Sequence, residues 1–146
     1  MTSDALQKSA LVITDMQRAV LHAAERAQDD DFAVRRVCAL VDRARREKMQ
    51  IVFVQHGRET GGWRLLDALR PRFPDWVIDA APGTLFGDNN LAAQLKAVGI
   101  SRLILAGAKA GSSLTPAGRE ANAHGFSSLI AEDAVAVFGP EALADA

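Results

Sequence analysis

Ala10-Leu11-Val12-Ile13-Thr14-Asp15 places four apolar residues in succession and ends on a carboxylate. Two further runs repeat the form, Ile51-Val52-Phe53-Val54-Gln55-His56 and Arg102-Leu103-Ile104-Leu105-Ala106-Gly107. A fourth, Ser128-Leu129-Ile130-Ala131-Glu132-Asp133, is more polar. The runs are continuously apolar rather than alternating. A strand covered by helices on both faces has no solvent side on which to place polar residues, so runs of this kind read as strands of a parallel sheet.

Helical patterns lie between them. Phe32 to Lys48 sets Val34, Val37, Cys38, Val41 and Ala44 on one stripe, and Asp29, Asp30 and Asp31 ahead of it suit a helix N-terminus. Asn90 to Val98 is a second helix, with Leu91 and Leu95 facing inward and Gly99 as its stop. Thr115 to His124 is a third, with Thr115 as N-cap, Pro116 at its first position and Gly125 as its end. Alternating strands and helices imply right-handed crossovers and an α/β fold with a doubly wound, mainly parallel sheet. In such a fold every strand ends at one edge, so Asp15, His56 and the Gly107 loop are expected to be neighbours where ligands bind. Gly57 to Thr84, with its Gly and Pro residues, reads as a long excursion over that site, anchored by Trp63 and Trp76.

The chain has 146 residues, 49% of them hydrophobic, which suits one domain with a full core spanning 1–146. Net charge is -1, with no basic patch for nucleic acid or an acidic membrane surface. The densest charged run, Arg43 to Lys48, reads as a solvated helix face. One cysteine, Cys38, leaves no internal disulfide, and its place on the apolar stripe reads as core. Met1 to Ser9 lacks the apolar stretch of a secretory signal, and no apolar run approaches the ~20 residues of a membrane span. The expected location is the cytoplasm.

Several short stretches carry a pattern in order. The first strand ends Ile13-Thr14-Asp15-Met16-Gln17, and the second runs into Val54-Gln55-His56, followed by Gly61-Gly62-Trp63. Thr84-Leu85-Phe86-Gly87-Asp88 then precedes a helix. The third long strand leads into Gly107-Ala108-Lys109-Ala110-Gly111-Ser112-Ser113, and a helix follows with Ala117-Gly118-Arg119-Glu120-Ala121 and Gly125. Glu132-Asp133-Ala134 closes the series. From about residue 10 to 138 this ordered set resembles the isochorismatase-like (cysteine hydrolase) superfamily, although no one motif is specific alone. Members usually continue for another helix and strand, so the sheet is expected to be one strand short.

The resemblance implies three catalytic positions. In the family a cysteine at a helix N-terminus attacks a carbonyl or nitrile carbon, while the helix end and nearby amides stabilise its thiolate and the oxyanion. An aspartate takes the thiol proton, and a lysine holds both anions in place. Asp15 matches the aspartate, Ser113 stands at the cysteine position, and Ala80 falls where the lysine is expected. A thiol with a pKa near ~8.5 is readily made a thiolate by nearby charge, whereas a serine hydroxyl needs an adjacent base that is itself oriented. Ser113 therefore reads either as a nucleophile served by Asp15 or His56, or as a turn hydroxyl ahead of Thr115. Isochorismatases proper lack the cysteine and use the aspartate as a general acid on a vinyl ether, which needs a raised carboxyl pKa. Lys109 either reaches the pocket to replace the missing cation or points to solvent. His56, Trp63, Phe86, Lys109 and Ala110 are expected to line the site.

No metal is expected, because Gln55-His56-Gly57-Arg58 offers one candidate ligand where the zinc-binding branch of the family has a cluster. His22 and His124 read as surface residues, and no cofactor is implied. Two readings follow: a small-molecule hydrolase with a degenerate triad, or a family member without catalysis that acts through ligand binding or assembly. A third reading is that a further C-terminal segment is missing, in which case Ala134, Val135, Val137 and Phe138 form an exposed flank that would mark a homo-oligomer interface.

Overall fold

The apolar runs form the middle of a parallel sheet. The computed structural model describes residues 2–14, 27–56, 69–107 and 114–140. Its strands are β1 (Ser9–Thr14), β2 (Gln50–His56), β3 (Trp76–Ala80), β4 (Arg102–Gly107) and β5 (Ser127–Ile130), in the order β3-β2-β1-β4-β5. Every pairing is parallel, and the register sets Thr14 between Val54 and Gly107, and His56 beside Ala80. The helices are α1 (Ser3–Gln7), α2 (Ala27–Arg46), α3 (Leu91–Ala97), α4 (Thr115–Ala123) and α5 (Ala134–Phe138). Among the described residues no helix is long and apolar enough to cross a membrane.

Successive residues of the strands divide between two cores because the side-chain period of a strand is two. Leu11, Ile13, Ile51, Phe53 and Ile104 pack under α2 and α5, against Val37, Leu40, Val41, Ala44, Ala134 and Val137. Ala10, Val12, Val52, Val54, Leu103 and Leu105 pack on the other face, against Leu91 and Leu95 of α3 and Ala121 of α4. β1 is buried along its whole length, so it contributes to both cores and has no polar face. Each fully buried Leu, Ile or Phe contributes up to about 1.5–3 kcal/mol, an upper bound because the unfolded chain already hides part of its surface.

Where the sheet reverses direction, backbone approaches backbone. A side-chain carbon built on Gly107 would run into the carbonyl oxygen of Thr14, so β4 requires glycine at its end. Gly99 and Gly125 follow α3 and α4 with φ of +83° and +90°, as the stop signals predict.

Four local expectations are corrected. Trp76 is not an anchor over the site. It opens β3, an edge strand whose burial alternates and whose polar and exposed positions obscured it among Pro71, Pro74 and Pro82. α2 begins at Ala27, so Asp29 to Asp31 lie inside its first turns rather than ahead of it. The N-cap of α4 is Leu114, without a side-chain cap bond, which moves Thr115 into the helix. Finally, β5 ends at Ile130, and Ala134 to Phe138 form α5 rather than an exposed flank. Ala134 and Val137 are 6% and 2% exposed, because α5 lays them on α2.

Candidate functional site

At the C-terminal edge of the sheet a cavity of about 240 Å³ opens between β1, β2, the segment after β3, and the start of α4. Thr14 and His56 reach it from the strands, Pro82 to Leu85 form one wall, and Leu114, Pro116, Ala117 and Glu120 form the opposite one. The position follows from topology. β2 and β3 lie on one side of β1 and β4 on the other, so the crossovers separate there and leave a crevice.

Two hydrogen-bond sets hold the wall in place. His56 Nε2–H donates to the carbonyl oxygen of Thr84 (2.6 Å). A carbonyl can only accept, so Nε2 carries a hydrogen, and the lone pair of the neutral ring is on Nδ1. On the α4 side, the Glu120 carboxylate accepts from Leu85 N–H (2.7 Å) and Phe86 N–H (3.0 Å). A carboxylate taking two amides makes charge-assisted bonds of the stronger class. The turn is closed from inside as well: the Thr84 hydroxyl donates to Ala81 O (2.7 Å) and accepts from Gly87 N–H (3.1 Å).

Of the residues expected here, His56 lines the cavity. Phe86 lies one residue past the lining. Its ring is half-buried against Phe126 (centroids 5.8 Å apart) and His124 (4.5 Å), and Thr84 and Leu85 supply the wall. Asp15, Trp63, Lys109, Ala110 and Ser113, and the surface reading of His22, lie outside the described residues. Ala80 ends β3 beside His56, is 9% exposed, and packs into the second core. Among the described residues that line the cavity there is no lysine or arginine. No three His, Cys, Asp or Glu side chains converge among the described residues. Cys38 packs against the first core from α2; burial first, then the charge of Asp42, push its thiol upward in pKa, and Arg45 opposes them.

Glu120, Thr84 and Thr14 were not picked out from the sequence. Glu120 stood in a quoted helix motif, but its partners are 34 and 35 residues away and leave no local mark.

Residues 9–146 match the family model described as the isochorismatase domain. The chain belongs to the isochorismatase family. Solved structures of isochorismatase-family members share this architecture. An isochorismatase from Pseudomonas putida KT2440 is 26% identical, with a TM-score of 0.76 over 88% of this chain and 71% of that one. An N-carbamoylsarcosine amidase from Thermoplasma acidophilum is 24% identical, with a TM-score of 0.76 over 94% and 89%. A cysteine hydrolase from Pseudomonas syringae pv. phaseolicola 1448A is 16% identical, with a TM-score of 0.74 over 95% and 79%. The last two likenesses establish the fold alone. No curated protein sequence matches the chain.

Proposed function

We propose that this isochorismatase-family domain binds a small carbonyl-containing molecule at the C-terminal edge of its sheet and has lost the family's thiolate hydrolysis. The observation that supports this is Ala80. At the place expected for the family's lysine, the end of β3 presents a buried methyl group beside His56. In the family that cation holds the aspartate and the thiolate together; an alanine methyl group cannot stabilise either charge. Ser113 at the cysteine position adds a hydroxyl that needs a strong, oriented base. His56 donates through Nε2 to Thr84, so the basic atom it could offer Ser113 is Nδ1 alone.

A second reading keeps catalysis, with Asp15 as general acid and no covalent step. It is favoured by the burial of the strand that leads into Asp15: Leu11, Val12, Ile13 and Thr14 are at most 4% exposed. An acid beside such a strand would hold its proton more tightly than a solvated one.

The experiment is an assay over small amides and nitriles, comparing the native chain, Asp15→Asn, Ala80→Lys, and Ala80→Lys combined with Ser113→Cys. Circular dichroism of each variant checks that it is folded. The binding reading expects turnover only in the double variant, at about 10²-fold or more over the native chain. Turnover by the native chain that Asp15→Asn abolishes overturns it in favour of catalysis centred on Asp15.

A further inference from the structure

The opposite end of the sheet carries a second cavity, of about 380 Å³, bounded by the end of α2 and by the turn ahead of β3. Met49, Phe73 and Pro74 give it an apolar surface, and Arg45, Lys48, Arg72 and Asp75 surround that surface with charge. Arg45 and Asp75 cancel one another across a 2.7 Å ion pair. Lys48 and Arg72 have no carboxylate partner among the described residues, so the cavity holds two uncompensated cations. Cations at a helix C-terminus are ordinary, and that accounts for Lys48. It does not account for Arg72, which comes from a different segment.

The turn that carries Arg72 and Phe73 is tied down at several points. Arg45 Nη2 donates to Arg70 O (2.9 Å) and Leu69 O (3.3 Å) as well as to Asp75. Asp75 Oδ2 also accepts from Arg72 N–H (3.1 Å), and Asp75 N–H donates back to Arg72 O (2.7 Å). Gln50 Nε2 donates to Pro74 O (3.0 Å). Phe73, 96% exposed, is thus held out in water by a fixed turn. A ring left wholly in water beside two unpaired cations, on the rim of a concave and mostly apolar surface, has the makings of a ligand site: apolar walls and a few placed polar groups.

We propose that this cavity binds a small planar aromatic anion. Its carboxylate or phosphate meets Lys48 and Arg72, and its ring covers Phe73 against Pro74 and Met49. Arg72 can meet such a group with two parallel N–H donors, and Phe73 gains an offset-stacked partner.

The test is NMR titration of the ¹⁵N-labelled full chain with 2-naphthoate, which has ring and charge. Acetate has charge without ring, and 2-naphthol has ring without charge. Arg72→Ala and Phe73→Ser alter exposed side chains, so neither disturbs the core, and Arg72→Lys restores the charge. The expected result is saturable shifts at the amides of Met49, Arg72, Phe73 and Asp75 with 2-naphthoate. Binding falls about tenfold or more in each of the first two variants, recovers in part in Arg72→Lys, and is about tenfold weaker for each single-feature probe. Absence of saturable shifts overturns the proposal, as does affinity equal in native and substituted chains. Shifts confined to the amides of Thr14, Gly107 and Leu114 also overturn it, because they place the anion at the other end of the sheet.

Discussion

At Glu120 a single carboxylate takes the backbone N–H groups of both Leu85 and Phe86, and through them sets where Thr84 presents its carbonyl to His56. Removing one acceptor oxygen leaves an amide facing an amide. Glu120→Gln is therefore expected to cost about 1–3 kcal/mol, the penalty for a part-buried donor left unmade. Urea denaturation measures the loss, and faster hydrogen exchange at the Leu85 and Phe86 amides locates it. An unchanged midpoint would mean that the wall stands without the clamp. Cys38 behaves in the opposite way: its raised pKa marks a packed thiol rather than a reactive one.

Among the elements, α5 is a five-residue helix started by one side-chain cap. The Asp133 side chain accepts from Ala136 N–H (3.0 Å), and the helix it starts carries Ala134 and Val137 onto α2. Asp133→Ala is expected to lower stability by about 0.5–2 kcal/mol. Thermal unfolding checks it, with Asp133→Ser as the variant that keeps a cap and most of the stability. β3 shows why element reading failed where it did. Central strands are covered on both faces and announce themselves as apolar runs, whereas an edge strand with Val77 46% exposed does not.

Across the whole molecule, one sheet separates two cores that share strands but not side-chain contacts. Ile13 points into the α2 and α5 side and Leu95 belongs to the other. Ile13→Val is expected to cost about 0.5–1.5 kcal/mol and Leu95→Ala about 2–5 kcal/mol. Because they lie on opposite faces, the double variant should sum them within about 0.5 kcal/mol. Chemical denaturation of the four proteins closes this cycle, and a larger coupling would show that strain passes through the sheet.

The sequence by itself determined the sheet's centre, its parallel class, and the edge at which His56 ends its strand, because those follow from local runs and from the handedness of crossovers. Only the tertiary structure decided that Glu120 spans to Leu85 and Phe86, that Trp76 sits at the far end of β3, and that Arg72 and Phe73 meet the end of α2. Each of these joins residues far apart in the chain, and such contacts come from how elements pack, which no run of neighbouring residues records.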